Sequence, residues 1–573
     1  RFVGRPATYR QFFEVYEGNR YHWLDSYITV DTVWFLFHLY YDFILKQLER
    51  SVFLDRITAI NRAMAVSARK AAESASGESR AQIAKIQGVF EIAALLSNET
   101  LDGALKAAKQ LPATIRDSIA ADLRGIFAAS GPSESKVLGR NVDFSQFKVR
   151  GHYEKDPRLQ GYFRVMMALS QLSLKVFADD GRSPGPDLPA IAALVGIAAN
   201  AKVDGKPVIE AVESICRPLS YLVGESEDIG ITDLRGLLQG IRVPPTSKAP
   251  SDEEFQKLLF DRLAAWPKPR LNPLSGVQVV FFPQRVTLDS EVMQRLVYRA
   301  VGTDANKRLL PKLLDVMAAL GSDRAEKLLV DFYKENRYEN YRESLAEARQ
   351  AVSALSAGDW ERSAYRRWLK GFADLLKDNG RTALEHTGSD AWTDRLLTAA
   401  LGSLVTLRHD TLLYNKMGGA EAGEGGEIED WMIRRLPSVA VDPYPEVFGG
   451  LRRLTVELFG RLSAQGYLPK NERDEDSDQD YDEIFPLTSK GLTLKMIELL
   501  SLMETCAAKQ AAGQPLTPAE HEKLWRFGVW CEHLTIALIR PDKEFYNFVQ
   551  EETSLIADVF NGAPMTTFQY SPF

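Results

Sequence analysis

The chain has 573 residues, 45% hydrophobic and 26% charged, with a formal net charge of −7 at pH 7. These are the proportions of a folded globular protein with apolar material for about two to four domains or one large helical assembly. The small charge and the lack of a Lys/Arg-rich run argue against nucleic-acid binding. No stretch reaches the ~18 apolar residues of a membrane span. Cys216, Cys506 and Cys531 form no C-x-x-C pair, which excludes a zinc ribbon and a thioredoxin-type motif. So few cysteines suit the cytosol and equally an exported protein built without disulfides. Cys506 and Cys531 are candidates for a bridge if the fold brings their Cα atoms within about 7 Å.

In chain order, the dominant period is helical. Asp31 to Ser51 carries Trp34, Phe37, Tyr41, Leu45 and Leu48 at three- and four-residue spacing, with Asp31 or Thr32 as N-cap. Helices are expected next near 52–73, 80–96, 101–109, 113–129, 158–178, 187–201 and 207–217. Val243 to Ser251 holds three prolines and reads as a link between an N-terminal region, 1–245, and a C-terminal region, 246–573. Beyond it come helices near 251–265, 289–302, 307–320, 323–335, 341–356, 359–378, 391–415, 446–465, 489–511, 517–540 and 542–560. The clearest strand is Val277 to Phe282, β-branched and aromatic between Gly276 and Pro283. The expected fold is mostly α, a large multi-helix assembly of αα-hairpin or solenoid-like character with a few short strands. A Gly/Glu-rich loop, Gly418 to Gly426, and an acidic loop, Asn471 to Glu483, interrupt the second region. The alternating Asp474, Asp476, Asp478, Asp480 and Asp482 fail as an EF-hand, because Gly and Glu are missing at the positions calcium needs.

Three polar islands stand out. On the first helix Asp31, Phe35, His38 and Asp42 form one stripe, and His38 and Asp42 are four apart, so their side chains can meet. Such a pair can fix a histidine tautomer for base catalysis or supply two ligands to a divalent metal, and the structural reading is a buried histidine satisfied by a carboxylate beside an aromatic core of Trp34, Phe37 and Tyr41. The second island runs from Asn141 to Glu154 and packs Asp143, Gln146, Lys148, Arg150, His152, Tyr153 and Glu154 together. Gly151 can take a backbone conformation forbidden to other residues, one that turns His152 and Tyr153 toward a pocket. Lys148 and Arg150 suit an anion, and a salt-bridge network with Asp143 and Glu154 is the structural alternative. The third island, Thr406 to Lys416, holds Arg408, His409 and Asp410 in succession, about 100° apart on a helix. Ser403 in Leu-Gly-Ser-Leu is not a nucleophile elbow. His22, His386 and His521 read as surface or capping residues, and Glu532-His533 lacks a second histidine at metal spacing. Polar groups this dense need one another when buried, so the islands are expected to converge.

These islands resemble a large, mainly bacterial family known as domain of unknown function 3160. The resemblance is carried by Thr29 to Asp42, Asp143 to Tyr153, Phe163 to Ala168, Gln284-Arg285 with Asp289-Ser290, Leu314 to Ser322 and Leu401 to Tyr414, spread over nearly the whole chain. It implies no reaction. It implies relatives that are often exported or lipid-anchored, and a second histidine in many of them at the position held here by Phe35.

The function expected from all this is that of an exported helical protein, periplasmic or at the cell surface, its signal peptide absent from the given sequence. It would be a structural or partner subunit of a bacterial envelope or extracellular assembly, with protein partners and with peripheral or lipid-anchored membrane association open to it. The first alternative is a hydrolase with His38, Asp42, His152, His409 and Asp410 as catalytic groups beside Asp31, and Lys148, Arg150 and Arg408 binding the ligand; a small-molecule or glycan binder using the aromatic and arginine content is the other. No cofactor is expected, a divalent metal being the one alternative.

Overall fold

Val30–Leu48 forms a helix buried on nearly every face. Phe37, Tyr40, Tyr41, Ile44 and Leu45 are all fully buried. A helix apolar all round belongs at the centre of a large core, and each such side chain contributes roughly 1.5–3 kcal/mol by leaving water. In the computed structural model the described residues are 11–97, 100–271, 276–377, 382, 384–414, 438–468, 488–539, 557–562 and 566–570.

The chain divides into two units. The first takes the described residues of Arg1–Leu48, Leu288–Leu412 and Met417–Phe573, and the second those of Glu49–Thr287 and Leu413–Lys416. The proline-rich link Val243 to Ser251 lies inside the second unit. In the first, the Val30–Leu48 helix packs on Asp390–Asp410, Phe527–Ile539, Pro445–Ala464 and Ser489–Ala511. Just before it, Ser26–Ile28 pairs in parallel with Val439–Val441. Asp442, directly after the second strand, accepts the Val30 N–H at 2.8 Å. This replaces the cap expected at Asp31 or Thr32. An orphan N–H at a helix start needs an acceptor, and here a residue remote in sequence supplies it.

In the second unit Leu54–Glu73 and Gly77–Leu95 form an αα-hairpin, joined by Pro157–Gln171, Leu188–Asn200 and Val208–Leu222. The alanine-rich Leu188–Asn200 helix is buried through most of its length, its small side chains admitting close neighbours. Gln278–Val279 pairs antiparallel with Leu174–Lys175, a shorter strand than Val277 to Phe282 suggested. That pairing also ends the helix expected over 158–178 at Gln171.

The fold is mostly α, its short strands joined in two-stranded pairs. The expected 517–540 helix breaks into Pro518–Trp525 and Phe527–Ile539. The 542–560 helix lies outside the described residues except for its end, where Ala557–Gly562 is a strand paired with Thr566–Tyr570. Phe12–Tyr21 is a helix with no counterpart in the sequence reading. Among the described residues no helix is long and apolar enough to cross a membrane.

Candidate functional site

The first and third islands meet inside the first unit. His38 Nδ1 lies 2.8 Å from Asp410 Oδ2, with the two side chains 3% and 0% exposed. His38 sits on the buried Val30–Leu48 helix and Asp410 ends the Asp390–Asp410 helix. The carboxylate bonded to this histidine is therefore Asp410, while Asp42 pairs with Lys46 one turn on. Asp410 Oδ1 makes no hydrogen bond among the described residues and lies 3.7 Å from His409 Nδ1. His409 is the more exposed of the two histidines. Phe35 stacks between Phe12 and His38, its ring 5.2 Å and 5.6 Å from theirs.

Arg408 is buried in the same unit and gives Nη1 to Asp289, with Ser290 Oγ at 3.3 Å from the same nitrogen. Asp289 also accepts the Tyr365 hydroxyl at 3.1 Å. A guanidinium withdrawn from water is tolerated only when paired in this way. Arg408 is thus committed to an internal carboxylate.

The second island closes on a different partner within the second unit. His152 Nε2 lies 2.9 Å from Glu49 Oε2. The Tyr153 and Tyr414 hydroxyls donate to Glu49 Oε1 at 2.6 and 2.5 Å, and Tyr162 bonds Tyr414 at 2.9 Å. Glu49, held in the π-helical turn Glu49–Phe53, is fully buried. Burial, and next the charge of Glu49, hold the Tyr153 and Tyr414 phenols well above their ordinary pKa. Gly151 takes φ +63°, the left-handed conformation the sequence predicted, and opens the 3₁₀ turn that carries His152 and Tyr153. Tyr153 packs on His152 at 4.0 Å.

Local bonds hold part of this island. Asp143 accepts from the Ser145 N–H, the Ser145 hydroxyl and Gln146 at 3.0, 2.7 and 3.1 Å. Arg150 reaches the Lys148 carbonyl at 3.4 Å and lies over Phe163, while Lys148 is exposed. A turn offers Asp143 such short-range partners without fixing long side chains. His22 caps its helix as expected, Nδ1 lying 2.7 Å from the Gly18 carbonyl oxygen. Cys216, Cys506 and Cys531 are free thiols. The loops Gly418 to Gly426 and Asn471 to Glu483 lie outside the described residues.

Glu49 and Asp442 were missed from sequence, and Asp289 was read only as part of the family resemblance. Glu49 had a signal: it continues the stripe of Asp31, His38 and Asp42 at the next seven-residue step. A further buried centre, also unforeseen, is Arg308, which donates to Glu335 at 2.7 Å and Asp315 at 2.8 Å. Tyr341 completes it, donating to Asp315 at 2.8 Å.

Over residues 1–568 the chain matches the family described as Protein of unknown function (DUF3160). The chain belongs to that family. No curated protein and no solved structure matches it. Membership of DUF3160 assigns no reaction, so the chemistry must be argued from geometry. Among the described residues no group of three or more His, Cys, Asp or Glu side chains is arranged to hold a metal ion. What the islands offer is acid–base pairing: one histidine bonded to one carboxylate in each unit, with the tyrosines of the second unit adding hydrogen bonds. In both pairs the histidine and the carboxylate are almost wholly withdrawn from solvent.

Proposed function

We propose that this protein is a non-catalytic helical partner subunit of a bacterial envelope or extracellular assembly, exported to the periplasm or cell surface. The observation carrying this reading is the closure of the islands: His38 on Asp410, His152 on Glu49 and Arg408 on Asp289, each inside a core. Groups used in this way hold helices in register. A buried pair broken by removing one partner costs about 3–5 kcal/mol, so these contacts specify packing strongly. Export rests on the character of the relatives that the sequence resembles.

A hydrolase is the second reading, favoured by one observation. His409 stands at 3.7 Å from the unbonded oxygen of Asp410, whose other oxygen orients His38. A carboxylate shared by two imidazoles can set the basicity of the more exposed one.

The two readings separate in the variants His38→Ala, His152→Ala and His409→Ala, followed by urea unfolding and by a panel of ester, phosphodiester and glycoside substrates. The partner-subunit reading expects large stability losses in the first two, little change in His409→Ala and no turnover by the parent protein. Turnover abolished by His409→Ala at unchanged stability would replace it with the hydrolase. Cell fractionation of the full-length gene product tests export, and a wholly cytoplasmic location would overturn that part.

A further inference from the structure

We propose that a groove in the second unit docks an extended, acidic segment of a partner protein. The groove runs along the Leu54–Glu73 helix, measures about 870 Å³ and is lined by Ala63, Ser67, Lys70, Lys202, Asp204 and Thr246, among others. That lies in the upper part of the roughly 300–1,000 Å³ range of ligand pockets. Its lining reaches from Ala59 to Ser74, about 22 Å of helix at a rise of about 1.5 Å per residue. An extended chain of about six or seven residues has the same length.

Charge selects an anion. Arg62, Lys70 and Lys202 all line the groove and are exposed, and none pairs with a carboxylate among the described residues. Asp204 is the one acidic residue of the lining among the described residues. The groove is thus positive on a chain of net charge −7, which steers acidic segments toward it. Arg62 and Lys70 stand about 12 Å apart along the helix axis. In an extended chain residues i and i+4 point to one side about 13 Å apart, so acidic residues at that spacing match the two cations.

A strand edge selects a peptide. Lys202–Val203 pairs with Lys206–Pro207 and with no other strand among the described residues. Lys202, Val203 and Asp204 line the groove, whereas Lys206 and Pro207 do not, so the groove follows the unpaired edge. Such an edge offers backbone N–H and C=O groups to an added strand. No aromatic ring lines the groove among the described residues, so a nucleobase or a sugar face finds no stacking partner. The walls are already tied together. Ser67 Oγ donates to the Ile197 carbonyl at 2.9 Å, and Asn200 Nδ2 donates to the Gly196 carbonyl and the Thr246 hydroxyl at 2.8 and 3.1 Å. Little ordering is then left for the ligand to impose. The inference rests on the partner-subunit reading and names the chemistry of the partner.

The test selects random peptides about nine residues long on the immobilised full chain, then measures the strongest binder by fluorescence anisotropy. The selected peptides should carry Asp or Glu four residues apart. An exposed ion pair is worth up to about fivefold in affinity, so replacing both acids by their amides should weaken binding at least ~10-fold. The double variant Arg62→Glu, Lys70→Glu should do the same, and so should ~0.5 M salt. Methylating the peptide's backbone nitrogens should also weaken it, which charge alone does not explain. If the double variant fails to fold, Lys202→Glu replaces it. Selected peptides without acidic residues, or undiminished binding by the folded variant, would overturn the proposal. So would binding of polygalacturonate with no peptide bound, which would make the occupant an acidic glycan. Such a failure removes the groove alone, because the stability and turnover of the histidine variants decide the partner-subunit reading separately.

Discussion

Asp410 Oδ2 meets His38 Nδ1 at 2.8 Å, joining two helices whose contacting residues are 372 positions apart in the chain. This contact ties the first island to the third. It also commits the histidine that looked most like a catalytic base to a carboxylate with 0% side-chain exposure. Asp410→Ala should therefore lower stability by about 3–5 kcal/mol, because a buried imidazole loses its partner. Asp410→Asn, which keeps a hydrogen-bonding group, should cost less. Urea unfolding measures both, and a loss below ~1 kcal/mol for the alanine variant would mean that the pair is dispensable.

Glu49 gathers three donors, and their removal should be coupled. Tyr153→Phe and Tyr414→Phe should each cost about 1–3 kcal/mol, since each leaves a buried acceptor short of a partner. Both hydroxyls donate to the same oxygen, so the double variant should depart from additivity by more than ~0.5 kcal/mol. A double-mutant cycle in chemical denaturation reads this directly, and additive losses would contradict the shared site.

Gly151 sits at φ +63°. Gly151→Ala should destabilise by roughly 1–2 kcal/mol, the cost of a side chain in the left-handed region. The thermal midpoint of the variant checks this. A rise would show that the turn relaxes without strain.

The carboxyl of Glu520 is held down to about 2 by hydrogen bonds from Lys509 and from the Thr517 N–H that it caps. Its folded pKa lies below its unfolded value. The stabilisation is therefore fully present above about pH 4.5 and is lost as pH falls toward 2. The pair lies at the surface, so solvent screening limits its contribution to about 1 kcal/mol or less. Glu520→Gln should thus be slightly less stable than the parent at pH 7 and equal to it near pH 2, measured by urea unfolding at both pH values.

The three thiols should differ in reactivity. Cys506 is fully buried and burial pushes its thiol up to about 11, and burial also raises Cys531 well above the ordinary range. Burial raises the Cys216 thiol as well, but Cys216 is the least buried of the three and neighbouring Arg285 offsets part of the rise. Titration of the native protein with a thiol reagent at pH 8 should modify Cys216 first, with Cys506 and Cys531 reacting only on denaturation. Early loss of Cys506 or Cys531 would indicate local opening of the Ser489–Ala511 and Phe527–Ile539 helices.

Much of the architecture could be read in advance, and the failures have causes. Apolar periodicity located the long helices, and Ser489–Ala511 has the predicted bounds. Periodicity overran at 172–178 because Leu174–Lys175 finds a strand partner about a hundred residues away, a long-range contact that local pattern does not encode. The site was half legible. Residue type and density marked His38, His152, Arg408 and Asp410, and Gly151 announced its own turn. Their partners were not visible, because helical spacing offered Asp42 to His38 as readily as tertiary packing offered Asp410.

The sequence by itself determined the helical class, the family and the residues too polar to be ordinary core, since side-chain period, ordered motifs and composition are local properties of the chain. Only the tertiary structure decided which carboxylate meets which histidine: Asp410 for His38 in one unit, Glu49 for His152 in the other. The physical reason is desolvation. A buried charge or donor must take whichever partner the packing of apolar faces brings within about 3 Å, and that partner lies at no fixed spacing along the chain.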